Sequence, residues 1–292
     1  MKPLLVLLLA APFSFANLVD DVRTAIAHNN FPAATESVRA YRASHGVTPE
    51  MLVALSWMGR GELAVKNYDQ ADRYAQEVYQ LSAEQLKKRP LDREAELPLA
   101  LGAAIEVEGN LLAAQGRRTE AVSYLEDQLH TYYSTSIRAR IQKNINLLTL
   151  EGRPAPALDR VTLPKGKPTL IFFWAHWCPD CKAEAPILAR LKMEFDSKGL
   201  VIVAPTQKYG YVAEGKDSPP EIELPYIEQV RRKYYSAIIT APAPVSEENF
   251  RRYGASTTPT LVLVDRAGIV RLYHPGEMTY EELRPRIESI VR

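Results

Sequence analysis

Cysteine is the scarcest informative residue in this 292-residue sequence, which contains only Cys178 and Cys181. Two cysteines exclude the disulfide scaffolds that stabilise small secreted domains. A structural zinc site would need a second cysteine pair or histidines at ligand spacing, and the sequence has neither, so we expect no metal. Covalent haem attachment is excluded because Lys182, and not histidine, follows the pair. We therefore expect a protein that works without a cofactor.

Charge of one sign and long apolar runs are also lacking. The formal net charge is +1, and no long stretch carries a single sign, so we expect neither a nucleic-acid partner nor binding to an anionic membrane surface. The apolar run near the N-terminus has about 13 residues, short of the roughly 20 that span a bilayer. The sequence therefore predicts no stable membrane span.

Residues 1–16 have the pattern of a signal peptide. Lys2 precedes the apolar run, and Ser14-Phe15-Ala16 supplies small residues at the positions that define a cleavage site. A buried N-terminal helix is the alternative. No cysteine lies near the cut, so a lipid anchor is not expected. We predict an exported protein, periplasmic or otherwise extracytoplasmic, in a compartment where disulfides persist.

Residues 17–151 are nearly free of strand patterns and are rich in good helix formers. Short motifs recur around Ala34, Ala71 and Ala121, each with an apolar or small residue four positions later on the same helix face. The pattern resembles tetratricopeptide-like helix pairs, whose period is about 34 residues. The spacings here are 37 and 50. The sequence predicts an α-helical domain of irregular repeats, or else an unrelated helical bundle.

The run Gly152-Arg153-Pro154-Ala155-Pro156 breaks this helical pattern, and we place a domain boundary at residue 152. Apolar runs at 170–174 and 200–204 predict two buried strands on either side of a helix. This order is typical of a parallel βαβ unit. Residues 152–292 should therefore form an α/β domain.

Other parts of this domain are less regular. Residues 261–264 and 269–273 predict two strands around a turn, and residues 158–163 a short edge strand. The segment 205–244 is longer than most loops and is rich in tyrosine, with one helix expected near 227–235. It is either a substrate-facing lid or a packing insert.

The cysteine pair lies where the first of these strands meets the following helix. Cys178 is placed at the helix N-terminus, where unpaired backbone N–H groups and the helix dipole stabilise a thiolate. We predict that Cys178 is the nucleophile of disulfide exchange and that Cys181, one turn into the helix, is the resolving thiol. The two would form a redox-active disulfide, with Trp177 packed beside the sulfur. A plain structural disulfide is the alternative.

These motifs together resemble the TlpA-like branch of the thioredoxin superfamily. The resemblance covers roughly residues 153–292. It depends on Trp177-Cys178-Pro179-Asp180-Cys181 after an apolar strand, on Glu184 and Pro186 in the helix, and on Thr257-Thr258-Pro259-Thr260 before a hairpin. It implies an α/β thioredoxin-like fold, a cis-proline at Pro259, and contact of Trp177, Thr258 and Pro259 with a protein substrate.

One position departs from the thioredoxin pattern. Many thioredoxins have a buried carboxylate six residues before the first cysteine, and here that residue is Phe172. Glu184 lies three residues after Cys181 on the same helix face, and the resemblance implies a role for it in proton transfer. A solvated glutamate without function is the alternative. Asp180 disfavours the thiolate and so favours a reductase. His176 is either an opposing charge or a solvated loop residue.

The sequence therefore predicts a thiol–disulfide oxidoreductase, with reduction of protein disulfides favoured over oxidation. Its partners would be protein disulfide substrates, a protein electron donor and a protein bound by the helical domain. A peroxiredoxin-type peroxidase is one alternative, although Cys178 lacks the Pro-x-x-x-Thr-x-x-Cys context. A binding adaptor with a vestigial cysteine pair is another.

Overall fold

A computed structural model describes residues 17–292 of the chain, so the predicted signal peptide at residues 1–16 lies outside the described residues. The chain divides into two compact units, Met1–Val107 and Glu108–Arg292. The division falls within a helix. The domain boundary that we place at residue 152 stays a prediction.

The described part of the first unit is helical, as the sequence predicts. It contains α1 (Leu18–Ala27), α2 (Phe31–His45), α3 (Pro49–Ala64), α4 (Tyr68–Leu86) and the beginning of α5 (Leu97–Ala114). The first three helices begin at a side chain that accepts a hydrogen bond from the first turn, namely Asn17, Asn30 and Thr48. Such caps satisfy backbone donors that a helix start leaves unpaired.

Close packing of α1 against α3 depends on Gly61. A Cβ atom at this position would lie 2.7 Å from Cγ2 of Ile26, too close for any other residue without a shift. In the described part of the chain, α5 alone is long and apolar enough to cross a membrane. Because 61% of its most apolar window is buried inside the protein, α5 has the burial of a core helix.

The second unit is built on a four-stranded mixed sheet. Its strands are β1 (Thr169–Phe173), β2 (Val201–Val203), β3 (Thr260–Val264) and β4 (Val270–Pro275), in the order β2-β1-β3-β4. Its helices, besides the end of α5, are α6 (Arg118–Thr131), α7 (Arg138–Thr149), α8 (Pro179–Phe195), α9 (Pro220–Tyr234), α10 (Glu247–Tyr253) and α11 (Tyr280–Val291). Strands β1 and β2 are parallel, and β3 is antiparallel to both β1 and β4. This is the predicted α/β thioredoxin-like fold, with its βαβ unit and its hairpin.

Strand β1 is buried on both faces, so its alternate side chains contribute to two separate cores. Leu170 and Phe172 pack with Leu188 of α8 and Ile287 of α11. On the opposite face, the core formed by Ile171, Phe173 and their neighbours includes residues of α10. The two cores hold β1 firmly, and the segment that follows β1 carries the cysteine pair.

The predicted edge strand at 158–163 is absent, which corrects the sequence-based expectation. The backbone of Asp159 instead bonds to the Asn249 side chain, with its N–H donating to Oδ1 at 2.6 Å and its carbonyl accepting from Nδ2 at 3.2 Å. Arg160 has a φ of 63°, which a strand cannot contain. The sequence around 158–163 shows no sign of this long-range partner.

One helix start also differs from expectation. Helix α9 begins at Pro220, earlier than the predicted 227, because Pro220 supplies the fixed φ of a first helical position. Ser246 occupies the N-cap of α10 but makes no capping bond; its hydroxyl donates to Asp159 at 2.8 Å. Thr279 and Glu282 form a capping box at the start of α11.

Helix α7 packs directly against α10 within the second unit. Nδ2 of Asn146 donates to the Tyr253 carbonyl at 2.9 Å. Gly254 has a φ of +59°, and a Cβ there would lie 2.3 Å from the backbone nitrogen of Lys143. Only glycine allows this approach. Helix α7 is therefore part of the packing that supports the sheet, although its composition resembles that of the helices before it.

Candidate functional site

The cysteine pair lies at the junction between β1 and α8, and both residues are disulfide-bonded to each other. Cys178 is the N-cap of α8, and its sulfur accepts a hydrogen bond from the Cys181 backbone N–H at 3.0 Å. The Cys178 N–H donates to the Ala175 carbonyl at 3.2 Å, which closes a turn around His176 and Trp177. This turn points the first sulfur at the helix N-terminus, where a thiolate is stabilised.

The loop with the predicted cis-proline lies against the first cysteine. The Thr258–Pro259 peptide bond is cis. The sulfur of Cys178 lies 3.4 Å from the Thr258 carbonyl oxygen. The structure thus brings three of the predicted site residues together, two of them more than 70 positions from the cysteine in sequence.

Trp177 differs from its neighbours in exposure. Cys178 and Cys181 are 1% and 0% exposed, whereas the Trp177 side chain is 44% exposed. Its ring packs edge-on against Tyr209, with 5.5 Å between ring centroids. An exposed indole beside a buried sulfur offers apolar surface to a substrate chain.

Glu184 is buried in α8, one turn after Cys181, and is 1% exposed. Its Oε2 accepts from the Met278 N–H at 3.3 Å, and its Oε1 has no hydrogen-bond partner among the described residues. Burial raises the pKa of Glu184 to about 7, and the bond from Met278 opposes that rise only in part. Glu184 can therefore take up and release a proton near neutral pH. The alternative of a solvated glutamate does not fit this burial.

Phe172 occupies the position of the carboxylate that many thioredoxins have, and it is 0% exposed. Its ring contacts Tyr235, with 5.8 Å between centroids, and Trp174 contacts the same tyrosine at 5.0 Å. Burial raises the pKa of the Tyr235 hydroxyl. An aromatic cluster thus fills the place of that carboxylate.

A second buried carboxylate, Glu223 of α9, contacts the motif at His176. Glu223 and His176 are each 1% exposed, and Nε2 of His176 lies 3.3 Å from Oε1 of Glu223. The carboxylate also accepts from the backbone N–H groups of Tyr209 and of Gly210, the second at 3.0 Å. Burial lowers the pKa of His176 despite the neighbouring carboxylate. His176 is therefore a buried neutral imidazole, not a solvated loop residue.

Sequence reasoning missed Glu223, because no local pattern connects it to a motif 47 positions earlier. A partial signal was present: Pro219-Pro220 with Glu221 and Glu223 behind it is typical of a helix start. That signal places the helix correctly but does not indicate its partner. Asp180, between the cysteines, is exposed.

Across residues 17–292, no three or more His, Cys, Asp or Glu side chains are grouped so as to hold a metal ion. The chemistry that the arrangement offers is that of two thiols, a carboxyl with a pKa near neutrality, and a backbone carbonyl beside the first sulfur.

Comparison with known proteins agrees with this geometry. A family described as thioredoxin-like domain matches residues 157–290. The thioredoxin-like protein YneN of Bacillus subtilis (strain 168) is 27% identical over 146 residues, covering 50% of this chain and 75% of that protein. The thiol-disulfide oxidoreductase ResA of Geobacillus thermodenitrificans (strain NG80-2) is 28% identical over 146 residues, covering 49% of this chain and 72% of that protein.

A solved structure, a thiol:disulfide interchange protein of the thioredoxin family from Chlorobium tepidum TLS, is 20% identical, with a TM-score of 0.37. The match covers 49% of this chain and 99% of the Chlorobium tepidum chain. Residues 157–290 match the thioredoxin-like domain family, and about half of the chain is similar to proteins named thiol-disulfide oxidoreductases.

Proposed function

We propose that this protein is an extracytoplasmic oxidoreductase that reduces disulfides of protein partners through Cys178 and Cys181. The observation that carries the proposal is the placement of the Cys178 sulfur, which caps α8 and lies 3.4 Å from the Thr258 carbonyl. A thiolate at a helix start is stabilised, and a backbone carbonyl beside it can pair with a substrate chain that lies across the loop.

The proposed reaction consists of two successive thiol–disulfide exchanges. The Cys178 thiolate attacks one sulfur of a substrate disulfide, which forms a mixed disulfide and releases the other substrate sulfur as a thiolate that takes up a proton. Cys181 then loses its proton to Glu184 and attacks the Cys178 sulfur. This forms the Cys178–Cys181 disulfide and releases the second substrate sulfur as a thiolate, which takes up a proton from water while Glu184 returns its proton to water. A dithiol protein, as electron donor, reduces the pair again by the reverse exchange.

Glu184 suits this role because its carboxyl lies one turn beyond Cys181 and its pKa is raised to about 7. A base is most effective when its pKa is near the working pH. Trp177, Thr258 and Pro259 form the surface that a substrate chain would contact. Asp180 beside the pair supports reduction over oxidation, since a negative charge makes the thiolate less stable.

The test is to trap the mixed disulfide. Cys181→Ser should hold substrate proteins covalently, because the first step proceeds and the second cannot. Cys178→Ser is the matched control and should trap none. Reduction of insulin by the wild-type chain with dithiothreitol as donor should proceed, and it should stop in both variants. A wild-type protein that fails to exchange disulfides would overturn the proposal.

Export and partner choice are proposed from the sequence. Cleavage before Asn17 should give a mature chain that starts at this residue, which N-terminal sequencing after cell fractionation would check.

The helical region, which has no residue that thiol exchange needs, is proposed to bind a protein partner. A partner retained by Cys178→Ser and lost on deletion of residues 17–107 would support this; a partner retained by the deleted chain would contradict it.

A further inference from the structure

The segment from residue 205 to the end of α9 contacts the redox motif at two consecutive residues. His176 and Trp177 are the central residues of the turn that the Cys178 N–H closes on the Ala175 carbonyl. The His176 side chain points inward and is 1% exposed, while Trp177 points outward and packs on Tyr209. The position of this turn determines how Cys178 is presented.

One carboxylate connects the elements on the inner side of the turn. Oε1 of Glu223 accepts from the Tyr209 N–H and lies 3.3 Å from Nε2 of His176, and Oε2 accepts from the Gly210 N–H at 3.0 Å. Because an ionised carboxylate can only accept, Nε2 is the nitrogen of His176 that carries the proton. Three donors from two chain segments thus converge on Glu223.

The surroundings of His176 hold its ring in place and keep the imidazole neutral. Rings contact it edge-on from both neighbouring elements, with centroid distances of 5.4 to 5.5 Å: Tyr209 and Tyr211 from the loop, and Tyr226 from α9. The charged groups that act on it are Glu223 and Lys182, and burial outweighs the carboxylate, so the pKa of His176 is lowered. The pair therefore places one buried carboxylate, which forms no ion pair with Lys or Arg among residues 17–292, beside the turn that ends at Cys178.

Resting on the proposed function, we propose that Glu223 is a positioning residue of the exchange reaction, which acts on Cys178 through His176 and the backbone of Tyr209 and Gly210. It holds the turn in one conformation, and its buried negative charge makes the Cys178 thiolate less stable. A less stable thiolate means a more strongly reducing pair. The segment thus supports the active site, and its Tyr209 packs against the outward-facing Trp177.

The variant test compares Glu223→Gln with Glu221→Gln, which removes an exposed carboxylate from the first turn of the same helix. Both are reduced, and alkylation of Cys178 by iodoacetamide is followed against pH. A charge in direct contact shifts a pKa by about 1–3 units. Glu223 bonds to His176 and not to Cys178, so removal of its charge should have a smaller effect and lower the Cys178 pKa by about half a unit. Alkylation at pH 6 should then be about threefold faster in Glu223→Gln, and the equilibrium with glutathione should shift about threefold towards the dithiol. Glu221→Gln should match wild type.

A measurement on the wild-type protein covers the case in which Glu223→Gln does not fold. Coupling between two sites is reciprocal, so ionisation of Cys178 must be felt at His176. The ring nitrogen signals of His176 in the reduced protein should shift with an inflection at the Cys178 pKa, and the inflection should vanish when Cys178 is replaced by Ser. No inflection, or Glu223→Gln indistinguishable from Glu221→Gln, would overturn the inference. Absence of exchange activity in the wild type would overturn the proposed function instead, and these readouts would still be interpretable.

Discussion

Two buried glutamates are associated with the cysteine motif, Glu184 within α8 and Glu223 through His176, and they differ in how their oxygens are satisfied. Glu184 accepts one hydrogen bond, from Met278, and its other oxygen has no partner in the described chain. Glu223 accepts from two backbone N–H groups and pairs with His176. A poorly satisfied carboxyl is suited to gaining and losing a proton, whereas a fully satisfied one is suited to holding structure. Equal burial, therefore, does not mean equal function.

The largest effect should come from Glu223→Ala. It leaves the His176 ring and two backbone N–H groups buried without an acceptor, each at a cost of about 1–3 kcal/mol. We expect a loss of about 4 kcal/mol in the free energy of unfolding, measured by urea denaturation of the oxidised protein at pH 7. Glu221→Ala, at an exposed site on the same helix, should change it by less than about 0.5 kcal/mol. Equal stability of the two variants would show that the hydrogen bonds of Glu223 do not stabilise the folded protein.

The next effect concerns the pH dependence of stability. The pKa of Glu184 is raised from 4.5 to about 7 in the folded protein, so between these values the folded state binds more protons than the unfolded state. The contribution of Glu184 is therefore fully present below pH 4.5 and is lost as the pH rises through 7. At about 1.4 kcal/mol per unit, the loss amounts to about 3 kcal/mol.

Glu184→Gln tests this directly, because glutamine does not titrate. The difference in unfolding free energy between wild type and variant should change steadily from pH 4.5 to 7.5 in urea titrations of the oxidised proteins. In Glu223→Gln, the unfolding free energy should keep the pH dependence that Glu184 gives to the wild-type protein. A constant difference between wild type and Glu184→Gln across the range would mean that Glu184 is not perturbed.

Glu184→Gln should have a smaller effect, in free energy, on the step in which Cys181 resolves the mixed disulfide. Glu184→Gln removes the proton acceptor that we propose for Cys181, and the resolving step should slow on the order of 100-fold, the lower end for general base catalysis. Single-turnover release of substrate from the mixed disulfide at pH 7.5 would measure it. Alkylation of Cys178 should be little changed, so a variant that slows both steps equally would contradict the assignment.

The smallest effect is the coupling between the two glutamates. They lie on different helices and share no hydrogen-bond partner among the contacts described above, so their effects on stability should add within about 0.5 kcal/mol. A double-mutant cycle with Glu184→Gln and Glu223→Gln at pH 7 would measure the coupling. A larger coupling energy would mean that the two glutamates act as one network.

The sequence was sufficient for features that depend on neighbours along the chain. The spacing of Cys178 and Cys181 after an apolar run predicted a dithiol at a helix start, and the structure has it. The three-residue step from Cys181 to Glu184 predicted a shared helix face. Pro259 was predicted from a motif, and its peptide bond is cis. In each case the determining information lies within a few residues.

Features that depend on distant partners were not predicted. Burial of His176 requires Glu223 and three tyrosines from a segment that begins about 30 positions later, and periodicity contains no information about such pairing. The missing strand at 158–163 has the same cause, since Asn249 takes the backbone bonds of Asp159. Side chains that capture backbone groups compete with regular structure, and their partners become known only from the fold.

Docking of α7 on α10 also sets an order of events during synthesis. Asn146 is made early, and the Tyr253 carbonyl that it binds follows 107 positions later. Contacts this far apart in sequence form slowly, because a long loop must close first. A chain that emerges from its N-terminus therefore carries α7 with one face uncovered until Gly254 has been added. Completion of the redox domain is a late event, and for that interval the uncovered face of α7 is open to a chaperone or to aggregation.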